Sequence, residues 1–84
     1  MFYVYVLKSL KNNNSYIGST TDLKRRFEEH QKGLVKSTKP RRPFELIYYE
    51  AYKSEQDARH REHNLKLKSR AYAQLRKRID NCLH

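Results

Sequence analysis

Cysteine occurs once in this 84-residue chain, glycine and proline twice each, and acidic residues number 9 against 19 lysines and arginines. The lone thiol, Cys82, allows no intrachain disulfide, gives no sign of an oxidising compartment, and reads as inert. Long apolar runs are also missing. The apolar opening from Phe2 to Leu7 is too short for a signal-peptide core or a membrane span, and no positive region precedes it. The expectation is a cytoplasmic protein with no membrane partner. There is no internal repeat and no low-complexity tract.

What remains is basic and aromatic. The formal net charge is +10, and the 7 Tyr and 3 Phe are enough to serve as stacking faces as well as core. An excess of this size favours a polyanionic partner, because each phosphate neutralised by a basic side chain releases condensed counterions. At this length the chain forms one small domain, residues 1–84, with a thin core, burying only about 60 to 65% of its unfolded surface.

Phe2 to Leu7 is dense in β-branched and aromatic residues and predicts a strand, with Phe2, Val4 and Val6 on one face and Tyr3, Tyr5 and Leu7 on the other. Lys11 to Asn14 suits a turn, so a hairpin should return the chain along Ser15 to Ser19. An even loop length would put Tyr16 and Gly18 on the Tyr5 face, with Gly18 leaving a gap in the side-chain layer. A helix follows, capped by Thr21 or Asp22, striped by Leu23, Phe27 and Leu34, and ended by Gly33. Residues 35–43 form a basic loop containing both prolines. Phe44 to Tyr52 predicts a third strand; Phe44, Leu46, Tyr48 and Tyr52 alternate with Ile47, Tyr49 and Ala51, which suggests a central position. Ser54 and Asp57 resemble a capping box opening a second helix, Ser69 marks a junction, and Tyr72, Leu75 and Ile79 mark a short final helix.

Several residues fit this pattern badly. Arg26 and His30 fall at the margin of the first helix's apolar face, and Glu62 lies within the stripe between Ala58 and Leu65. Arg26 with Glu62 reads either as a partly buried ion pair fixing two helices or as a functional pair. Tyr5 and Tyr16, taken singly, read as packing residues. His60 and His63 share a helix at zinc-ligand spacing, but no cysteine pair or further ligand lies near them. His30 reads equally as a rim histidine or a proton carrier. Lys36, Lys39, Arg41 and Arg42, in the basic loop, are candidates for tracking phosphates.

Tyr3-Val4-Tyr5, then Tyr16-Ile17-Gly18 after a short hairpin, then Leu23 and Arg26 in one helix and Glu62 in the next, resembles the GIY-YIG nuclease superfamily over nearly the whole chain. The likeness is greatest to its small stand-alone bacterial members. Tyr3 and Val4 stand where the family name has Gly and Ile, which puts a bulky ring beside the site. The resemblance implies that Tyr5 and Tyr16 line a cleft, with Tyr5 orienting or deprotonating the attacking water. It also implies that Arg26 contacts the scissile phosphate, that Glu62 holds a divalent metal, and that His30 and Lys66 assist. A tyrosine of ordinary pKa near 10 is a poor base at neutral pH and needs help from a metal or from Arg26. One carboxylate implies one ion, Mg²⁺ or Mn²⁺, that keeps water and phosphate oxygens as its other ligands.

The expected fold is α/β in the α+β sense, in the order β-β-α-β-α-α, with a three-stranded, largely antiparallel sheet flanked by helices. The expected function is metal-dependent endonucleolytic hydrolysis of nucleic acid, DNA in preference to RNA, with low sequence specificity and a place in DNA repair. The alternative is a weakly active or silent nucleic-acid-binding module working with protein partners in a repair or RNA-processing complex.

Overall fold

The computed structural model describes residues 1–67 and 70–80. Its elements are β1 (Phe2–Ser9), β2 (Ser15–Thr20), α1 (Leu23–Gln31), a single 3₁₀ turn (Lys39–Arg41), β3 (Phe44–Tyr52), α2 (Glu55–Lys66) and α3 (Arg70–Arg78). This is the expected α+β order. The predicted junction at Ser69 and the thiol of Cys82 lie outside the described residues.

The sheet is antiparallel with strand order β2-β1-β3. The hairpin closes with Asn13 in the left-handed region at φ 62°, where a short polar side chain is tolerated. Its register sets Tyr5 opposite Gly18 and Leu7 opposite Tyr16, so these residues share a face as the even loop requires. Val4, Val6 and Ile17 face the other way and form the main core with Ala58, Leu65, Leu75 and Ile79. Tyr5, Leu7 and Phe44 form a second cluster beneath α1, flanked by Tyr16, Leu23, Phe27 and Leu46.

β1, not β3, is the central strand. β3 carries apolar side chains on both faces for another reason. Its register slips opposite the Val6/Leu7 step, leaving Ile47 as an extra residue. The bulge reverses the strand's sidedness part-way along. Phe44 and Leu46 pack beneath α1, whereas Tyr48 and Tyr52 pack with Ile47 on the main core, so the single face read for all four is divided in two.

The helix ends follow from local chemistry. Asp22 caps α1 by accepting from the Arg25 amide at 3.1 Å, and Ser54 caps α2 by accepting from the Asp57 amide at 3.3 Å. Gly33, at φ 77°, ends α1 in a Schellman motif: the Leu34 amide bonds the Glu29 carbonyl at 3.0 Å and the Gly33 amide bonds that of His30 at 3.2 Å. This stop comes before the predicted stripe reaches Leu34, which is 70% exposed. Among the described residues no helix is long and apolar enough to cross a membrane.

Candidate active site

Tyr5 is the centre of the α1 side. It is only 1% exposed, and its ring lies directly over Gly18. A Cβ on residue 18 would fall 2.6 Å from Tyr5 Cζ and still nearer the hydroxyl, so glycine is required here for close approach. The gap expected at Gly18 is therefore the seat of the Tyr5 ring.

The Tyr5 hydroxyl lies 2.8 Å from His30 Nε2, and His30 Nδ1 lies 2.8 Å from Thr38 Oγ1. Thr38 in turn donates to the Val35 carbonyl at 3.3 Å. With its proton spent there, Thr38 accepts from His30 Nδ1–H. Nε2 is then the acceptor, and Tyr5 donates to it. His30 is completely buried rather than at the rim, because the basic loop folds back and covers it with Thr38. Burial, aided by the Arg26 charge, pushes the imidazole down to about 4, so it is neutral at physiological pH. Burial likewise pushes the Tyr5 phenol up to about 12, although a hydrogen bond from Arg26 pulls the other way.

Arg26 touches the Tyr5 hydroxyl and donates to Glu29 Oε1 at 3.1 Å. Its guanidinium stays charged, and its side chain is 37% exposed. Tyr16 stands beside the pair, its ring centroid 5.1 Å from that of His30 and 6.5 Å from that of Tyr5.

Glu62 reaches the same region from the other face of the sheet. Its Oε1 accepts from Ser19 Oγ at 2.7 Å and its Oε2 pairs with Lys66 Nζ at 2.7 Å. Burial works against the charged form, but the Lys66 and Ser19 hydrogen bonds outweigh it and hold the carboxyl below the usual range. The interhelical ion pair considered for Arg26 and Glu62 is not formed: Arg26 goes to Glu29, and Glu62 goes to Ser19 and Lys66. Beside Arg26 opens a cleft of about 450 Å³, lined by Phe2, Ser19, Thr20, Thr21, Asp22, Arg25, Arg26 and Glu29 and, from α2, by Glu55, Ala58 and Arg59. Tyr5 and Tyr16, expected to line the cleft, lie behind this surface, and of the expected site residues only Arg26 is among its walls. Tyr3 is not among its walls, so the ring that replaces glycine does not block it.

The basic loop is more ordered than its sequence implied. Arg41 sits 5.8 Å from the Tyr16 ring centroid and donates to the Ser37 carbonyl at 3.1 Å. The Arg42 guanidinium lies against Gly33, while Lys36 and Lys39 are exposed. His60 and His63 are exposed on α2, and the described residues contain no cluster of three or more His, Cys, Asp and Glu able to hold a metal. Sequence reasoning missed Glu29, Ser19 and Thr38. The i,i+3 spacing from Arg26 could have found Glu29, and strand alternation from Ile17 could have found Ser19. Nothing local announces Thr38.

The model of the GIY-YIG catalytic domain matches residues 1–78. The chain belongs to the GIY-YIG family. It is 42% identical over 71 residues to a UPF0213 protein of Pediococcus pentosaceus, a stretch covering 83% of this chain and 74% of that one. It is 44% identical over 70 residues to UPF0213 protein NP_0776A of Natronomonas pharaonis, covering 82% and 81%. Among solved structures it resembles the solution NMR structure of UPF0213 protein BH0048 from Bacillus halodurans, with a TM-score of 0.54 and 36% identity over 89% of this chain and 81% of that chain. Membership of this family makes the chain a nuclease-type, nucleic-acid-binding domain. In this chain, Gly18 of the Tyr16-Ile17-Gly18 triplet is the residue on which Tyr5, the tyrosine of the first triplet, rests.

Proposed function

We propose that residues 1–84 act as one module, a metal-dependent endonuclease that hydrolyses phosphodiester bonds in nucleic acid, DNA by preference, with low sequence specificity. The observation that carries this reading is the Tyr5 hydroxyl held between a neutral acceptor, His30, and a charged donor, Arg26. A free Tyr5 phenolate would cost about 7 kcal/mol at pH 7. The geometry offers a route around that cost. As the attacking water gives its proton to Tyr5 Oη, the phenolic proton passes to His30 Nε2 along the existing hydrogen bond. Phosphorus gains the hydroxide oxygen and loses the sugar oxygen in line; that oxygen leaves as an alkoxide and takes a proton from solvent, and His30 then returns its proton to Tyr5, which releases one to solvent.

Tyr5 is buried and its neighbour Arg26 lines the cleft, so this reading requires water to reach the hydroxyl past the Arg26 side chain. Arg26 then exchanges Glu29 for the scissile phosphate, where negative charge gathers in the transition state. Tyr16 packs beside the Tyr5 and His30 rings and holds them in place. Lys36, Lys39, Arg41, Arg42 and Lys66 track the flanking backbone.

Glu62 is the residue for the metal. It is a partly exposed, ionised carboxylate, 19% accessible, whose present partners are a hydroxyl and a lysine that can give way. A hard ion such as Mg²⁺ or Mn²⁺ accepts one such carboxylate and otherwise water and phosphate oxygens, which fits this donor set. When bound, it supplies Lewis-acid stabilisation of the phosphoryl group. A cytoplasmic role in DNA repair accords with the single cysteine and the basic surface.

The test is cleavage of plasmid and branched DNA, and of RNA, with Mg²⁺ or Mn²⁺, beside EDTA and Glu62→Ala controls. Metal-dependent nicking that Glu62→Ala abolishes is expected. Activity surviving that substitution would remove the metal assignment. A folded protein that binds every substrate and cleaves none would establish the binding module instead, a reading favoured by the burial of Tyr5.

A further inference from the structure

A second concavity, of about 610 Å³, opens on the flank of α1 opposite the cleft. Tyr3 and Tyr49 form one wall, with ring centroids 6.2 Å apart and planes crossed at 63°. Leu23, Phe27 and Leu46 form the floor, and Lys24 stands at the rim. Tyr49 projects from edge strand β3 and is 55% exposed. An edge-to-face pair leaves a ring face open, where a parallel stack would cover it. This groove and the Arg26 cleft are both lined by Thr21 and Asp22, so they adjoin at the start of α1.

We propose that the Tyr3–Tyr49 groove holds an unpaired nucleobase of the strand whose phosphate lies in the Arg26 cleft, making nucleic acid with an unstacked nucleotide at the cleavage point the substrate class. This rests on the nucleic-acid reading above and names the substrate for the same site. A nucleobase matches the groove as a flat apolar body tethered to a phosphate. The charge also selects it over an apolar peptide: the protein carries +10, Lys24 is exposed at the rim, and the one carboxylate of the lining, Asp22, is turned to its own helix end. A base stacked inside a duplex cannot enter, so a mismatch, gap or branch that already frees a base removes the unstacking cost. Tyr3 then stands where the family name has glycine because it builds this wall.

The test is binding in EDTA, which stops cleavage, to oligonucleotides carrying 2-aminopurine either unpaired or within a full duplex. The wild type should bind the unpaired probe more tightly and change its fluorescence. Tyr49→Ala should weaken that complex about tenfold, Tyr3→Ala comparably, and Tyr49→Phe hardly at all. Tyr49 is exposed on an edge strand, so the two Tyr49 variants keep the core, and they decide the outcome if Tyr3→Ala on the central strand loses stability. Equal binding of both probes, unaltered by Tyr49→Ala and Tyr3→Ala, would overturn the groove and leave the nuclease reading standing. No binding of any probe by the wild type would overturn both. A dimer in sedimentation velocity that Tyr49→Ala dissolves would give the groove to a second copy.

Discussion

On the α2 side of the sheet, Tyr48 and Tyr52 donate to Glu50 at 2.5 and 2.6 Å, and Arg61 grips the same carboxylate through Nε and Nη2 at 2.9 Å each. On the α1 side, Tyr5 donates to His30, and Arg26 rests on Tyr5 and Glu29. Both regions pair tyrosine hydroxyls with an acceptor and an arginine. They differ in the acceptor's charge and in the arginine's freedom. Glu50 is an anion with four donors. Burial alone would raise it, yet those hydrogen bonds hold it at about 2, so no proton moves to it near neutrality. His30 is a neutral acceptor able to take a proton, and Arg26 holds a partner on the cleft surface that it can exchange. A fully paired charge locks two elements together, while a neutral acceptor beside a cleft leaves chemistry to be done.

That contrast should survive mutation as a double dissociation. Arg26→Ala is expected to lower cleavage by about 10²- to 10³-fold, as loss of a transition-state donor does, with a nearly unchanged urea midpoint. Glu50→Ala should do the reverse, costing about 3 kcal/mol in urea unfolding while activity per folded molecule holds. Equal stability losses in both variants would erase the distinction between the two regions.

A smaller effect separates them by pH. The folded pKa of His30 lies at about 4, below its ordinary 6.5, so the unfolded chain takes up this proton first. Its contribution is present above pH 6.5 and is lost as pH falls towards 4, by up to about 3 kcal/mol. Glu50, with an ordinary value of 4.5 and a folded value of about 2, loses its contribution only between those lower limits. Denaturation at pH 7, 5.5 and 4 should show stability falling in the wild type and staying flatter in His30→Gln. A wild-type profile without slope between pH 6.5 and 4 would contradict a buried neutral His30.

The smallest expected effect lies in the basic loop, which borders the α1 region alone. Replacing Arg41 and Arg42 together with alanine should reduce the slope of log K against log salt by about one to two, measured by anisotropy on a labelled duplex. An unchanged slope would confine nucleic acid to the cleft. Part of each side chain is already committed within the fold, Arg41 to Ser37 and Tyr16 and Arg42 to Gly33, which limits the effect.

Much of the α1 region was legible before the fold. Alternation in β1 and an even hairpin put Tyr5, Tyr16 and Gly18 together, and Asp22 and Gly33 marked the ends of α1. Harder to read was β3, because a single extra residue at Ile47 exchanges the faces of a strand and mimics central burial. His30 was misplaced for a related reason. Helical period sees a stripe, not the loop that later covers it.

Local chemistry fixes periods, caps and turns, since each depends on residues a few positions apart, and in this chain those alone determine the element order and the shared face of Tyr5 and Gly18. Partner choice belongs to the tertiary structure. Tyr5 and His30 are 25 positions apart and Ser19 and Glu62 are 43 apart. Only packing desolvates His30 into a neutral acceptor, sends Arg26 to Glu29 instead of Glu62, and so decides which side of the sheet is clamped and which can react.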